Sequence, residues 1–311
     1  MSLMDHLDRY LSVRRSLGYD LRTDERTLRR FVRFAERDGA AHVDTALFLR
    51  WDGGLPQASA QTRATRLGRV RLFAQWLSGI DPAHEAPPRG LLPSRPVRSR
   101  PHIFSEAEIA GIVAEAAKLP STYGIRGLTC STLFGLIAAT GLRVGEAIAL
   151  DPDDLDAGTG VLRVRSGKHG RERLLPLDPV VVIRLDRYGR ERDRLLGRPA
   201  DAFFVTCKGT RITDFTARYN FAHVSQRIGL RAPERRFRHG RGPRIHDLRH
   251  TFAVRTMIDW YRTGKDPAHE MIRLTSYLGH ADPDNTFWYL EAVPELLKLA
   301  MARATNGEAT T

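Results

Sequence analysis

The feature that most constrains the fold is a proline-rich stretch at residues 82–101. Proline has no backbone N–H to donate, so it interrupts helices and inner strands. We therefore expect an extended linker at 86–101 that separates a domain at 1–85 from a larger domain at 102–311. The stretch contains six prolines and four arginines: Pro82, Pro87, Pro88, Pro93, Pro96, Pro101, Arg89, Arg95, Arg98 and Arg100.

The first domain is predicted to be a small helical bundle. Leu3, Leu7 and Leu11 recur at helical spacing and predict a helix over Leu3–Ser16. A second helix is predicted over Asp24–Asp38 with Thr23 as its cap, and two more are expected to begin near Asp44 and Ser59.

The second domain combines sequence patterns typical of helices with patterns typical of strands. Ser105 followed by acidic residues predicts a helix start. Residues 160–176 alternate around a glycine-flanked tip, which predicts a β-hairpin, and a short strand is expected at 202–206. The chain as a whole is therefore expected to be mainly α with a small β-sheet, an α+β fold with a mixed α/β-hairpin second domain.

The chain is strongly basic. Its 311 residues carry 49 Lys and Arg against 36 Asp and Glu, a net charge of +13, and only five of the cations are Lys. GC-rich codon usage could explain the Arg-to-Lys ratio, but it does not explain the excess of cations, which favours a polyanionic partner. The arginines expected to contact phosphates, with a merely solvated surface as the alternative, are Arg63, Arg66, Arg69, Arg98, Arg100, Arg235, Arg236, Arg238, Arg241 and Arg244.

Several classes of protein are disfavoured. The N-terminus lacks the apolar core of a signal peptide, and no apolar run is long enough to span a membrane. Cys130 and Cys207 cannot form a disulfide framework, so a cytoplasmic, nucleoid-associated protein is expected. A nucleotide-binding enzyme is disfavoured because no glycine-rich phosphate loop is present.

Candidate chemistry lies in four separated segments. Each alone has an ordinary structural explanation, such as an Arg–Glu pair or aromatic core packing. His246 and His250 at i, i+4 could suggest zinc, but the glutamate of a metalloprotease helix is missing, and no metal or other cofactor is expected. The segments are ATGLRVGE with Arg143 and Glu146, GKHGRERLLPL with Lys168, HDLRHTFA with His246, Arg249 and His250, and YLGH with His280 followed by Tyr289.

Taken together and in this order, the segments resemble the motifs of the tyrosine recombinases, or phage-type integrases. The resemblance covers Phe104 to about Leu297, and the first domain is similar to that family's helical core-binding domain. A run of residues around Tyr289 is also similar to the branch carried by transposons and other mobile elements. The distance from Arg249 to His280 is longer than in typical members, and we expect the extra residues to form a loop in Asp259–Glu270.

The resemblance implies a mechanism for DNA strand exchange. Tyr289 would attack a phosphodiester and form a 3′-phosphotyrosyl link while a 5′-hydroxyl leaves, without ATP or metal. Glu146 and His250 would support the site, with Glu146 positioning Arg143 or assisting His246. In the implied catalytic set, Arg143 and Arg249 hold the phosphate oxygens, His246 assists proton transfer, His280 donates a hydrogen bond and Lys168 protonates the leaving group.

The resemblance also implies partners. These are double-stranded DNA sites, a homotetramer built through the C-terminal helix, and possible accessory recombinases or DNA-bending proteins. Two other functions remain open for the same residues: a type IB topoisomerase-like enzyme that only relaxes DNA, and a catalytically silent DNA-binding protein of this fold.

Overall fold

The structure is a computed structural model that describes residues 1–92, 100–121, 124–165, 172–232, 242–279 and 294–308. The chain divides into two compact units, Met1–Ser99 and Arg100–Thr311. In the described residues, no helix has both the length and the apolar character that a membrane span requires.

The first unit is a helical bundle. Its helices are α1 (Leu3–Ser16), α2 (Arg22–Arg37), α3 (Thr45–Gly53) and α4 (Ala60–Ser78). The predicted bounds of α1 are confirmed, but α2 begins earlier than predicted and has Leu21 rather than Thr23 at its cap position. The apolar stripes of the helices meet in one core, which includes the fully buried Leu7, Phe31, Val32, Phe48, Val70 and Phe73.

Hydrogen bonds and apolar contacts hold the start of the proline-rich stretch against this bundle. The Val43 N–H donates to Nδ1 of the buried His84 at 3.0 Å, and the Glu85 N–H donates to the Val43 carbonyl at 2.7 Å. Leu91 and Leu92 then pack against the edge of the core. Residues up to 92 therefore belong structurally to the first unit.

The second unit is mostly helical with a small antiparallel sheet in the order β1-β2-β3, and the expected fold class is confirmed. Strand β2 pairs with β3 so that Val164 lies opposite Arg173. The elements in chain order are α5 (Glu106–Ala117), α6 (Ile125–Thr140), α7 (Val144–Ala149), a 3-10 turn (Pro152–Asp154), β1 (Leu155–Asp156), β2 (Val161–Arg165), β3 (Glu172–Pro176), α8 (Pro179–Leu196), α9 (Asp214–Arg227), α10 (Ile245–Arg262), α11 (Pro267–Leu278) and α12 (Pro294–Glu308).

Helix α6 lies at the centre of this unit. It packs against α5, α8, α9 and α10, and most of its length is buried. Leu133, Phe134 and Ile137 are almost completely excluded from solvent. Burial of apolar side chains on several faces of α6 stabilises the junction at its C-terminal end, where the candidate site begins.

The beginning of the second unit is joined to α10 by hydrogen bonds across a long sequence separation. The Phe104 N–H donates to Oγ1 of Thr251 at 2.9 Å, and the Thr251 hydroxyl donates to the Asp247 carbonyl at 2.8 Å. Arg255 donates to the Phe104 carbonyl at 2.9 Å. The Phe104 ring is buried in the main core.

One sequence prediction is wrong in this unit, and another concerns a loop that is shorter than the segment in which it was expected. The strand expected at 202–206 is reduced to an isolated bridge between Val205 and Arg211. The loop expected within Asp259–Glu270 is short: residues 263–266 connect α10, which continues to Arg262, with α11, which starts at Pro267. Buried Trp260 and Met271 hold these helix ends in a common cluster, so packing extends both helices into the segment.

Candidate active site

Arg143 lies where α6 ends and α7 begins. Gly141 closes α6 in the left-handed conformation, with φ of 65°, and Arg143 is the cap residue of α7. The Glu146 carboxylate accepts the Arg143 backbone N–H at 3.0 Å and a guanidinium N–H from the same residue at 2.8 Å. The Arg-x-x-Glu spacing therefore fixes both the helix start and the arginine side chain.

Gly141 also permits a close approach. A Cβ atom at this position would lie 2.5 Å from Cδ1 of Phe252 and 3.0 Å from Cδ2 of Leu278. Because the left-handed conformation and the lack of space both require glycine, the residue lets α6 end directly against α10 and α11.

Arg249 is a buried arginine in the second turn of α10. The residue is only 1% exposed, and its guanidinium donates to the Gly141 carbonyl at 2.7 Å and to the Leu278 carbonyl at 2.8 Å. It therefore joins the ends of α6 and α11 through a single side chain.

Arg143 reaches the same helix end. It donates to the Gly279 carbonyl at 3.0 Å, and a second N–H lies 3.5 Å from the Leu278 carbonyl. Two of the predicted site residues thus meet at the C-terminal end of α11, immediately before His280 in the chain. The last carbonyls of a helix have no partner within the helix, and here guanidinium groups supply the missing donors.

Arg173 is a member of this cluster that lies within the GKHGRERLLPL segment but was not predicted as a site residue. It projects from β3, donates to both carboxylate oxygens of Glu146 at 3.1 and 2.8 Å, and donates to the Tyr277 carbonyl at 3.0 Å. Burial raises the pKa of Glu146, but the hydrogen bonds from Arg173 and from the Arg143 backbone outweigh it and lower the pKa to about 2. Glu146 is therefore ionised at neutral pH.

His246 and His250 lie one turn apart on α10, with ring centroids 4.6 Å apart and ring planes at 81°. Burial lowers the pKa of His246 to about 4, helped by the neighbouring His250 and Arg249. Burial also lowers the pKa of His250 to about 4, together with the charges of Arg244 and Arg249. Both imidazoles are therefore neutral near pH 7.

Arg244 caps α10, as Arg143 caps α7. The Asp247 carboxylate accepts the Arg244 backbone N–H at 2.8 Å and its guanidinium at 3.2 Å. The buried Arg231 donates to the Pro243 carbonyl at 2.7 Å, which fixes the chain just before this cap.

In the first unit, the structure places the predicted phosphate-contacting arginines of α4 in ion pairs. Arg63 and Arg66 both contact the carboxylate of Asp52, at 2.5 and 3.1 Å, and Asp52 is almost fully buried. Arg69 pairs with Asp24 and donates to Thr27. Much of the charge on this helix is therefore already balanced within the bundle.

A different set of arginines is exposed on α2. Arg26, Arg30, Arg33 and Arg37 follow helical spacing along one face and are open to solvent. None of these four has a carboxylate within 4.0 Å among the residues that the structure describes. Three of them line a cavity that also includes Phe34.

Other predicted site residues lie outside the described residues, except for Arg100, which is exposed. Within the described ranges, no three His, Cys, Asp or Glu side chains gather in a way that could hold a metal ion. The predicted residues outside these ranges are Lys168, His280, Tyr289, Arg98, Arg235, Arg236, Arg238 and Arg241.

Comparison with known sequences gives a consistent result. Residues 103–295 match the Phage integrase family. Over 300 residues, covering 94% of both chains, the protein is 38% identical to the putative integrase/recombinase y4rB of Sinorhizobium fredii. It is 30% identical to the tyrosine recombinase XerD of Ralstonia nicotianae, over 78% of this chain and 73% of that protein.

Comparison with solved structures supports the fold. The Tn1549 transposon integrase, solved in complex with transposon right end DNA, superposes with a TM-score of 0.64 at 16% identity. The superposition covers 98% of this chain and 100% of that one.

Proposed function

This chain belongs to the phage integrase family of tyrosine recombinases, and from that premise we propose that it cuts and rejoins double-stranded DNA through a 3′-phosphotyrosyl intermediate on Tyr289. The observation that carries the proposal is the meeting of Arg143 and Arg249 at the carbonyls of Leu278 and Gly279, the two residues that precede His280 in the chain. Two separated motifs and the start of a third thus supply one site.

The charge of the cluster suits a phosphodiester. Arg143 and Arg173 share the carboxylate of Glu146, and Arg249 meets Arg143 at the Leu278 carbonyl, so the three guanidinium groups of the cluster exceed its one carboxylate in charge. A phosphoryl transition state gathers negative charge on its non-bridging oxygens, and guanidinium groups remain protonated at any useful pH. Arg143 and Arg249 would stabilise those oxygens by charge-assisted hydrogen bonds.

Proton transfer requires a second set of groups. The phenol of Tyr289 must lose a proton to become a good nucleophile, since an ordinary tyrosine has a pKa of roughly 10. His246 would assist this transfer: it is neutral near pH 7, but burial lowers its pKa to about 4 and so makes it a weak base until DNA is bound beside it. His280 would donate to a non-bridging oxygen, and Lys168 would protonate the departing 5′-oxygen. The energy of the broken bond is retained in the phosphotyrosyl link, so rejoining needs no ATP.

The bulk of the affinity would come from contacts with the DNA backbone. We assign the exposed arginines of α2 to this role in the first unit, because their charge is not balanced by described carboxylates. The ion-paired arginines of α4, Arg63, Arg66 and Arg69, would contribute less than the sequence alone suggested. Binding governed by phosphate contacts weakens as salt concentration rises.

A suicide duplex tests the reaction. In such a duplex a nick beside the cleavage site lets the short strand diffuse away, so the covalent protein–DNA adduct accumulates. We expect an adduct with the wild-type protein and none with Tyr289→Phe. Tyr277→Phe is the matched control, because it removes a phenolic oxygen from a partly buried tyrosine near the cluster and should leave the adduct unchanged. An adduct that persists in Tyr289→Phe would overturn the assignment of the nucleophile.

Two further outcomes separate the alternatives. Relaxation of supercoiled DNA without exchange between two marked sites would indicate topoisomerase-like activity. Binding without any adduct would indicate a silent DNA-binding protein. The proposal instead expects recombination between inverted repeats taken from the DNA beside the gene. We propose that four copies of the chain, joined through α12, carry out this reaction, and that the protein acts in the cytoplasm.

A further inference from the structure

Arg173 connects three parts of the candidate site. Its backbone lies in β3, its guanidinium holds both oxygens of Glu146, and it also donates to the Tyr277 carbonyl at the end of α11. The side chain is 16% exposed, compared with 39% for Arg143. Arg173 is thus a largely enclosed arginine that contacts the partner of a more open one.

The end of α11 is held by a series of guanidinium contacts. The carbonyls of Tyr277, Leu278 and Gly279 accept from Arg173, Arg249 and Arg143 respectively. A Cβ atom on Gly279, which has φ of 65°, would lie 2.9 Å from Nη1 of Arg173. The positive φ favours glycine at this position, and a Cβ atom there would displace the Arg173 guanidinium.

The carboxylate of Glu146 is shared unequally. Arg173 donates to both of its oxygens, whereas the Arg143 side chain donates to only one. If Arg173 were absent, Glu146 would have Arg143 as its only guanidinium partner in the cluster. The charge that Arg143 could offer to a phosphate would then be more fully neutralised, because opposite charges at hydrogen-bond distance interact most strongly in a partly buried site.

We propose that Arg173 is a positioning residue for strand cleavage: it holds Glu146 and the end of α11 together so that Arg143 faces the scissile phosphate with most of its charge available. The inference rests on the proposed function, since it assumes that Arg143 binds this phosphate. It assigns a role to a strand arginine that does not itself touch the DNA.

The test compares two arginines of the same hairpin. Arg173→Met removes the proposed positioning group. Arg163→Met is the matched control, since Arg163 lies on the neighbouring strand and pairs at 3.0 Å with Asp154, another buried carboxylate, away from the cluster. We expect Arg173→Met to slow adduct formation on a suicide duplex by about tenfold or more. Arg163→Met should cleave within about twofold of wild type, and both variants should keep wild-type DNA affinity.

A second substrate separates positioning from a general effect on folding. In a methylphosphonate duplex, a methyl group replaces one non-bridging oxygen of the scissile phosphate and removes its charge. Because the availability of the Arg143 charge matters less for this substrate, we expect the deficit of Arg173→Met to shrink to about threefold or less. Equal slowing on both substrates would indicate a purely structural role and would overturn the inference.

The remaining outcomes are also decisive. If wild-type protein forms no adduct, the proposed function itself fails. If it does form one and Arg173→Met behaves like Arg163→Met, only the inference fails. Should Arg173→Met not fold, Arg173→Lys keeps the charge with fewer donors. It is expected to cleave at an intermediate rate with the same dependence on substrate charge, and wild-type cleavage by this variant would count against the inference.

Discussion

Arg143 and Arg249 direct their guanidinium groups at the same backbone oxygen, the carbonyl of Leu278, at 3.5 and 2.8 Å. The two arginines come from motifs more than a hundred residues apart, and they differ in environment: Arg249 is almost fully buried, and the Arg143 side chain is 39% exposed. One is therefore built into the core and the other faces outward, which leads to different expectations for their removal.

Substitution of the two arginines should separate stability from cleavage. Arg249→Met leaves the Gly141 and Leu278 carbonyls without their buried donors, so we expect the free energy of unfolding to fall by roughly 2–4 kcal/mol. Arg143→Met should lower it by less than about 1 kcal/mol, because its ion pair is partly solvated. Urea denaturation measures both values, and an equal loss would contradict the division. Cleavage should fall by about 100-fold or more in each.

Two glycines with the same backbone conformation provide a test of the space beside Arg173. Gly279→Ala and Gly264→Ala each place a side chain at positive φ, which costs about 1–2 kcal/mol. Only at Gly279 would the new Cβ meet Arg173, whereas Gly264 has no atom within 4 Å. We expect both variants to melt at lower temperature and only Gly279→Ala to lose cleavage. Comparable cleavage by the two would show that the close approach of Arg173 is unimportant.

The exposed and ion-paired arginines of the first unit should respond differently to alanine. For the double variant Arg30→Ala and Arg33→Ala, we expect weaker DNA binding. The slope of the logarithm of the binding constant against the logarithm of the salt concentration should become shallower by about one for each phosphate that is no longer neutralised. Stability should be unchanged. Arg66→Ala should instead lower the melting temperature, because it removes one partner of the buried Asp52, while the salt dependence stays near that of wild type. Titrations at several salt concentrations and thermal melts distinguish the two results.

The two neutral histidines of α10 should make the fold sensitive to acid. His250 has a pKa of about 4 in the folded protein, below the ordinary pKa of 6.5, so the unfolded chain binds more protons between these pH values. The contribution of neutral His250 to the free energy of unfolding is therefore complete above pH 6.5 and is lost as the pH falls toward 4. It amounts to about 3 kcal/mol at most. When the free energy of unfolding is measured from pH 7 to pH 4, it should decline less steeply in His250→Asn than in the wild type. Parallel curves for the two proteins would argue against this account.

Neighbouring leucines of α12 allow a test of assembly. Leu296 is fully buried against the cluster formed by α10 and α11, while Leu297 is 52% exposed. We expect Leu297→Ser to cleave a single site normally but to form fewer tetrameric complexes on DNA, as measured by light scattering. Leu296→Ser should instead reduce thermal stability. Normal tetramer formation by Leu297→Ser would remove this side chain from the interface.

Local patterns predicted local structure well. The bounds of α1 and the pairing of β2 with β3 follow from side-chain periodicity and turn residues, which act between near neighbours. The role of Arg173 could not be read in the same way, since an arginine in an alternating strand is usually solvent-facing. Its partners, Glu146 and Tyr277, lie 27 and 104 residues away, and only tertiary packing brings them together.

The sequence could not predict the pairing of Arg63 and Arg66 with Asp52 either, because this pairing also depends on tertiary packing. In the sequence these arginines resemble any basic helical face, and a buried carboxylate from α3 decides their environment. Family motifs predicted Arg143 and Arg249 as site residues, and the two side chains meet at the end of α11. The carbonyl oxygens that those arginines share carry no sequence signal at all, because every residue has one.

The hydrogen bonds between Phe104 and α10 have a practical consequence for truncation. A fragment that began after Phe104 would remove the donor to Thr251, the acceptor for Arg255 and a ring from the main core. These contacts lie on the helix that carries His246 and Arg249. A catalytic fragment for crystallisation or for fusion to another DNA-binding domain should therefore start at or before Arg100, the first residue of the second unit.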